Sequence, residues 1–330
     1  MELSETVAES SRARVAGAAS ERIEWGRTRR LMENGRWKYT PLGTRRRRQW
    51  VFFQALLRLF GLGLKLAGLY QRGLENALAV RLTRLDLAFA DLPAAFDGFR
   101  ILQLSDLHVD ALPGTFEAAL DLTAGLEVDL CVLTGDYRRR TDGPFEHILA
   151  PLGALVSGVR TREGCYAILG NHDCADMVAG LERLGITVLI NQSRSLERAG
   201  ARLHLTGTDD VHYYFTEAAH TALARAPEGF KIALVHSAEL AGVAAQRGFR
   251  LYLAGHTHGG QVCLPGGRPI FTHLSCHRGY ASGLWRHGGM LGYTTTGVGV
   301  SGLPIRFNSR GEVALITLRR HDPKESGSER

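Results

Sequence analysis

The feature that most constrains this chain is a recurrence. Five times a short apolar run ends in a polar cluster built from Asp, Asn or His. Arg100-Ile101-Leu102-Gln103-Leu104 leads into Ser105-Asp106-Leu107-His108, and Leu130-Cys131-Val132-Leu133 leads into Gly135-Asp136. Cys165 to Leu169 leads into Gly170-Asn171-His172-Asp173, and Lys231 to Val235 into His236. Leu251-Tyr252-Leu253-Ala254 leads into Gly255-His256-Thr257-His258-Gly259-Gly260-Gln261. Apolar runs this short, with polar or glycine boundaries, read as strands buried on both faces. Helical patterning lies between them, near 115–126, 144–157, 175–184 and 216–225. Strands alternating with helices place the chain in the α/β class. Val80 to Phe89 reads as one more strand, and further short strands are expected between 187 and 207, near 291–296 and near 313–318. No internal repeat and no clear linker follows residue 90, so residues 80–320 are expected to form one domain.

In sheets flanked by helices, sites form just beyond the carboxyl ends of the strands. Here those ends carry Asp106, His108, Asp136, Asn171, His172, His236, His256 and His258. A single His-x-His pair is weak evidence of a metal site, but five strand ends supplying such side chains together are hard to attribute to decoration. Oxygen and nitrogen donors without thiolate suit Mn, Fe, Zn or Co better than Ca or Mg. Seven donors (Asp106, His108, Asp136, Asn171, His236, His256 and His258) are too many for one ion and enough for two that share Asp136. The five cysteines (131, 165, 174, 263, 276) contain no Cys-x-x-Cys pair, so free thiols in a reducing compartment are the expectation.

The formal charge of +7 is unevenly placed: residues 1–50 hold twelve Arg or Lys against six Glu. The main domain is nearly neutral, which gives no support to a nucleic-acid surface. Residues 1–49 are expected to be a basic, mobile segment with short helical pieces at most. From Trp50 to Arg72 polar or small residues recur at Gln54, Arg58, Gly61, Lys65, Gly68 and Arg72 in an otherwise apolar stretch. That spacing predicts a helix with a narrow polar stripe, within a segment 50–78. Three placements compete. A bilayer-spanning helix has the length but carries Arg58 and Lys65 near its middle. Packing on the domain or on another subunit is the second. Lying in a membrane interface is the third, and it also accounts for the arginine run Arg45 to Arg48. Arg47-Arg48-Gln49-Trp50-Val51 loosely resembles a twin-arginine export signal, an alternative opposed by the charges in the apolar stretch. The catalytic unit is placed at 79–322, with a disordered tail over 323–330.

Asp106-x-His108, Gly135-Asp136, Gly170-Asn171-His172-Asp173, His236 and Gly255-His256-Thr257-His258 resemble, in order, the five blocks of the calcineurin-like metallophosphoesterase family. The resemblance covers roughly residues 98–262. It implies a two-sheet mixed β-sandwich flanked by helices, in preference to a simple doubly wound sheet. It implies two divalent ions (Mn, Fe or Zn), with Asp106, His108 and His258 on the first, Asn171, His236 and His256 on the second, and Asp136 between them. His172 is then not a ligand; it faces the leaving group of the substrate, and Asp173 orients it through a hydrogen bond. The implied chemistry is attack on phosphorus by a water activated between the ions, with His172 neutralising the leaving oxygen.

Two departures from the family pattern stand out. Tyr137-Arg138-Arg139-Arg140 follows Asp136, so Arg138 is a candidate phosphate contact, with a solvated loop as the alternative reading. Around His236 the sequence is Val-His-Ser-Ala-Glu, without a nearby proline. His212, after Asp209-Asp210, is a candidate for lining the substrate cleft. The Gly-His-Thr-His-Gly-Gly-Gln form and the basic, apolar extension look like bacterial members of the YkuE/YaeI type. This resemblance implies a phosphorylated, lipid-linked substrate such as UDP-2,3-diacylglucosamine, and peripheral attachment to the cytoplasmic face of the inner membrane. The alternatives are a soluble phosphodiester or phosphomonoester substrate and a non-catalytic metal-binding scaffold.

Overall fold

The computed structural model describes residues 20–35, 37–46 and 51–321, and the expectations for residues 1–19 and for the tail fall outside that range. A first helix, α1, covers residues 20–34. It is followed by the hairpin β1 (Trp37–Thr40) and β2 (Gly43–Arg46), then α2 (Val51–Leu66), α3 (Tyr70–Leu78), β3 (Arg81–Phe89) and β4 (Arg100–Leu104). The chain continues through α4 (Thr115–Thr123), β5 (Glu127–Val128), β6 (Leu130–Leu133), α5 (Leu149–Gly158), β7 (Arg160–Thr161), β8 (Cys165–Ala167) and α6 (Met177–Arg183). Next come β9 (Ile186–Val188), β10 (Gln192–Arg198), β11 (Ala201–Gly207), α7 (Glu217–Ala224), β12 (Phe230–Leu234) and α8 (Ala241–Gln246). The last strands are β13 (Leu251–Ala254), β14 (Gly283–His287), β15 (Met290–Thr294) and β16 (Glu312–Arg320).

Two six-stranded sheets run in the orders β3-β16-β4-β6-β8-β9 and β10-β11-β12-β13-β15-β14. Both are mixed: β4, β6, β8 and β9 are mutually parallel, whereas β16 is antiparallel to β4. In the second sheet β11, β12, β13 and β15 run parallel between two antiparallel edges, β10 and β14. Strand alternation divides each apolar run between two cores. Ile101, Leu130, Val132, Ile232, Leu251 and Leu253 fill the space between the sheets. Leu102, Leu104, Cys131 and Leu133 face the α4–α6 side, and Ala233, Val235, Tyr252 and Ala254 face α7 and α8. This is the two-sheet sandwich expected from the resemblance.

The N-terminal segment corrects an expectation. Residues 20–35 and 37–46 are folded against the domain. Arg22 pairs with Glu182 at 2.7 Å, Arg30 with Asp176 at 2.7 Å, and Trp25 donates its indole N–H to Asp209 at 2.7 Å. Tyr39 exchanges backbone hydrogen bonds with Tyr213 and Phe215 at 2.9 and 3.0 Å, so the hairpin adds to the loop that carries His212.

The predicted 50–72 helix is two helices. Gly68 adopts φ +70° after α2, and the Leu69 N–H bonds the Leu64 carbonyl at 2.8 Å, a left-handed glycine termination. Among the α2 residues whose side chains are described, 55–66, only Leu57, Gly61 and Leu64 turn toward the domain. Leu56, Leu59, Phe60, Leu62 and Leu66 are exposed by 41–82%. Gly61 of the predicted polar stripe therefore faces inward, and most of the apolar surface faces out. No helix among the described residues is long and apolar enough to cross a membrane, so the spanning placement is not met.

Candidate metal centre

The five strand ends meet at one rim of the sandwich, three from the first sheet (β4, β6, β8) and two from the second (β12, β13). Close convergence requires glycine. A side chain on Gly135 would approach the Gly170 backbone nitrogen at 2.5 Å, and one on Gly255 would overlap Ser105 and Asp106. The loops turn sharply enough to put Asp106, His108, Asp136, His256 and His258 at positive φ, between 37° and 73°. L-residues hold such angles only where the surroundings enforce them, and such strain clusters at functional sites.

Side-chain donors of Asp106, His108 and His258 lie within 4.8 Å of one another, and so do those of Asp136, His236 and His256. The two groups are joined through Asp136, whose Oδ2 is 3.8 Å from His108 Nε2 and 3.3 Å from His236 Nε2. His108 donates Nδ1–H to the Arg138 carbonyl at 2.8 Å, and His236 donates Nδ1–H to the Thr134 carbonyl at 2.7 Å. Carbonyls only accept, so both rings are fixed with Nε2 aimed at the centre. His108 Nε2 and His258 Nε2 stand 3.2 Å apart.

Asn171 Oδ1, His236 Nε2, both ring nitrogens of His256 and His258 Nδ1 are buried without a hydrogen-bond partner in the protein. Buried polar atoms are normally satisfied. Five such atoms at one rim, beside two carboxylates, fit a cation.

The electrostatics agree. Burial holds His256 and His258 well below the ordinary imidazole value and His108 down at about 4, which leaves their lone pairs available. Burial acts to raise both aspartates. It pushes Asp106 to about 6, whereas the nearby His236 and His172 hold Asp136 well below the carboxylate range. Burial opposes protonation of His236, but Asp136 beside it pulls its value well up, so a proton there does the work a cation would do.

His172 Nδ1 contacts the Arg139 carbonyl at 2.5 Å, and the ring lies edge-on to His108 with centroids 4.8 Å apart. Its side chain is 18% exposed, and its Nε2 is 3.9 Å from Asp136 Oδ2. It therefore faces the opening of the site. Two expectations fail here. Asp173 does not bond the His172 ring: its carboxylate accepts the backbone N–H groups of Asp136, Gly170 and Tyr137 at 2.8, 2.7 and 2.9 Å. Arg138 is not a phosphate contact, and within a loop whose Arg139 and Arg140 are exposed it is itself buried. It is 2% exposed and donates to the carbonyls of His172, Thr141 and Gly143 at 2.8, 3.2 and 2.5 Å. A buried guanidinium saturated by carbonyls ties its loop together.

His212 does join the site. Its ring centroid is 4.2 Å from that of His256, and its Nδ1 lies 3.2 Å from both carboxylate oxygens of Glu239. Glu239 also accepts the Ser275 N–H at 3.0 Å, and nothing in the sequence pattern singled it out. Arg306 was missed as well. Fully buried, it donates to the carbonyls of His258, Thr296 and Gly299 at 3.1, 2.8 and 2.7 Å. Gly297 and Gly299 press against Asp106 and His108.

The profile of the calcineurin-like phosphoesterase family matches residues 99–260. An uncharacterized metallophosphoesterase of Bacillus subtilis, YkuE, is 30% identical over 263 residues, covering 76% of this chain and 89% of that protein. The phosphodiesterase YaeI of Escherichia coli is 31% identical over 233 residues, covering 67% of this chain and 82% of that protein. A Danio rerio protein named as a transmembrane protein with a metallophosphoesterase domain is 29% identical over 272 residues, 75% of this chain and 59% of that protein.

Proposed function

Because the chain belongs to the calcineurin-like phosphoesterase family and is a metal-dependent hydrolase of phosphoester bonds, we propose that it uses two divalent ions on a phosphorylated, lipid-linked substrate at a membrane surface. The observation that carries the two-ion reading is the presence of two buried donor groups side by side, Asp106, His108 and His258 in one and Asp136, His236 and His256 in the other, with Asp136 also 3.8 Å from His108. Asp106, His108 and His258 hold one ion. Asn171, His236 and His256 hold the other. Manganese, iron and zinc all suit these donors. Bound there, the ions supply Lewis acidity toward a phosphoryl oxygen and activation of a water.

The protein's own groups do the rest. The Arg138 and Thr134 carbonyls fix the tautomers of His108 and His236. Asp136 Oδ1 accepts the His172 N–H at 2.8 Å and so sets the height of that residue over the centre. His172, turned to the opening, donates a proton or a strong hydrogen bond to the leaving oxygen. His212, braced by Glu239, forms the wall beside His256.

The exposed leucines of α2 support the lipid part of the reading, because contiguous exposed apolar surface marks interaction sites. Arg58 and Lys65 of α2 line a groove of about 200 Å³ with Tyr70 at the start of α3 and Leu303 of the domain, where an anionic headgroup has cations to meet. Attachment to the cytoplasmic face of the inner membrane fits this surface. The export alternative rests on Arg47 and Arg48, which lie outside the described residues.

Metal analysis of the purified protein, combined with turnover of bis-p-nitrophenyl phosphate, tests the core of the reading. Two bound ions without turnover under Mn, Fe or Zn would overturn it. UDP-2,3-diacylglucosamine assayed against soluble phosphodiesters tests the substrate class, and preference for the soluble esters would refute the lipid reading.

A further inference from the structure

We infer that Arg29, on the N-terminal helix and outside the span matched by the family profile, is a positioning residue that sets the Asn171–His172 turn. Its guanidinium is 1% exposed. Nη2 donates to the Asp173 carbonyl at 2.8 Å and to the Gly170 carbonyl at 3.3 Å. These carbonyls bracket Asn171 and His172. One side chain thus grips both ends of the turn that presents one ion's amide ligand and the group facing the leaving oxygen. The roles of Asn171 and His172 are those of the reading above, on which this inference rests.

The rest of Arg29 is anchored so that the grip is rigid. Nη1 bonds the Asp209 carboxylate, and Nε lies 3.0 Å from Glu33. The guanidinium carbon sits 3.7 Å from the centroid of the Tyr214 ring, as stacking requires. Glu33 itself accepts the Ala175 N–H at 2.8 Å, just past the turn, and Asp209 is held in turn by Trp25. The turn is consequently pinned from two directions. Its N–H groups are taken by carboxylates of the domain: Gly170 by Asp173 and His172 by Asp136. The carbonyls at its two ends, Gly170 and Asp173, are taken by Arg29, and that of His172 between them by Arg138. The planar fork meets the Asp209 carboxylate through Nη1 while Nη2 spans the two carbonyls, a fixed two-sided geometry that the point charge of lysine does not hold.

A residue that merely glued α1 to the domain would also be buried and ion-paired, so the test must separate docking from positioning. In the full-length protein, Arg29→Met/Asp209→Asn removes the cation together with its main anion and leaves no unpaired charge between them. Arg29→Lys keeps the charge and loses the fork. Arg22→Ala loosens α1 at its Glu182 contact without reaching the turn. Three quantities are read: kcat and KM on bis-p-nitrophenyl phosphate, manganese affinity by titration calorimetry, and Tm.

Positioning errors of about 1 Å cost on the order of 100-fold in rate. The double variant is therefore expected to lose about 30- to 100-fold in kcat with KM changed less than about threefold. The weaker manganese step should weaken about tenfold, and Arg29→Lys should recover only part of either loss. Arg22→Ala should keep wild-type kcat even where its Tm falls. If the double variant or Arg29→Lys retains wild-type kcat and both manganese affinities, the inference is overturned and Arg29 only docks α1. Should the double variant not fold, Arg29→Lys decides alone. A wild-type protein that binds manganese without hydrolysing the ester refutes the proposed function and leaves the affinity comparison to judge Arg29.

Discussion

Asp173 offers the most direct test of how the turn is built, and Asp173→Asn is the perturbation. The fully buried carboxylate receives three backbone N–H groups, two on Oδ2 from Gly170 and Asp136 and one on Oδ1 from Tyr137. An asparagine has one acceptor oxygen. Its best placement keeps that oxygen on the pair from Gly170 and Asp136 and turns an NH2 group against the Tyr137 N–H. Two charge-assisted bonds become neutral ones, at about 1 kcal/mol each, and one buried donor loses its acceptor, at about 1–3 kcal/mol. Opposing this, burial and the neighbouring Asp136 already raise the Asp173 value, so removing the charge returns part of the loss. The net expectation is about 2–4 kcal/mol, or a fall in Tm of about 5–15 °C for a domain of this size. Thermal unfolding followed by circular dichroism, with manganese and in EDTA, measures it. A pH–rate profile on the same variant separates the two roles. If Asp173 were the hydrogen-bond partner of His172, the substitution would move the limb of the profile governed by His172 and leave Tm within about 2 °C. That combination would refute the reasoning.

Other outcomes follow from the same geometry. His172→Asn should lower kcat by about 100- to 10,000-fold while both ions remain bound; loss of an ion by elemental analysis would make His172 a ligand, as its proximity to His108 and Asp136 permits. His256→Ala and His258→Ala should each leave one ion in place, and a different one, because their rings sit in different donor groups; loss of both ions from either variant would argue for a single cooperative cluster. Replacing Leu59, Leu62 and Leu66 of α2 with serine should abolish sedimentation with anionic vesicles at nearly unchanged Tm, since these side chains are 52–82% exposed; undiminished sedimentation would remove α2 as the membrane contact.

The elements that sequence reasoning located share one physical property. Parallel strands buried on both faces favour apolar residues at nearly every position, so β6 and β13 stand out as unbroken runs and β4 and β12 as runs interrupted only by Gln103 and Lys231, and the side chains just past their carboxyl ends are conspicuous by contrast. What it misread depends on direction rather than identity. His172 and Asp173 are adjacent, and adjacency suggested a bond between them. On a tight turn consecutive side chains diverge: His172 reaches the opening while Asp173 points inward and is fully buried. The buried arginines were hidden by composition. In a chain with 36 arginines, nothing local distinguishes Arg29, Arg138 and Arg306 from those in solvent. Yet each is almost completely buried and spends its donors on backbone carbonyls of the site or its loops.

The same effect explains why α1 was read as mobile. Its buried stripe runs through Trp25, Gly26, Arg29 and Met32, a helical spacing in which an arginine and a glycine take places where apolar residues are sought. On α2 the apolar face was legible, but whether protein or membrane would meet it was left open among three placements. Among residues 55–66, Leu57, Gly61 and Leu64 are turned in. A periodic pattern reports that a helix has two faces. Which face meets the protein is decided by the partner surface: carbonyls and carboxylates receive the arginine face of α1, whereas the segment at Gly302 and Leu303 has room only for the narrow Leu57–Gly61 edge of α2. The two extensions thus differ in chemistry, one meeting the Asn171–His172 turn through polar contacts and the other leaving its leucines exposed.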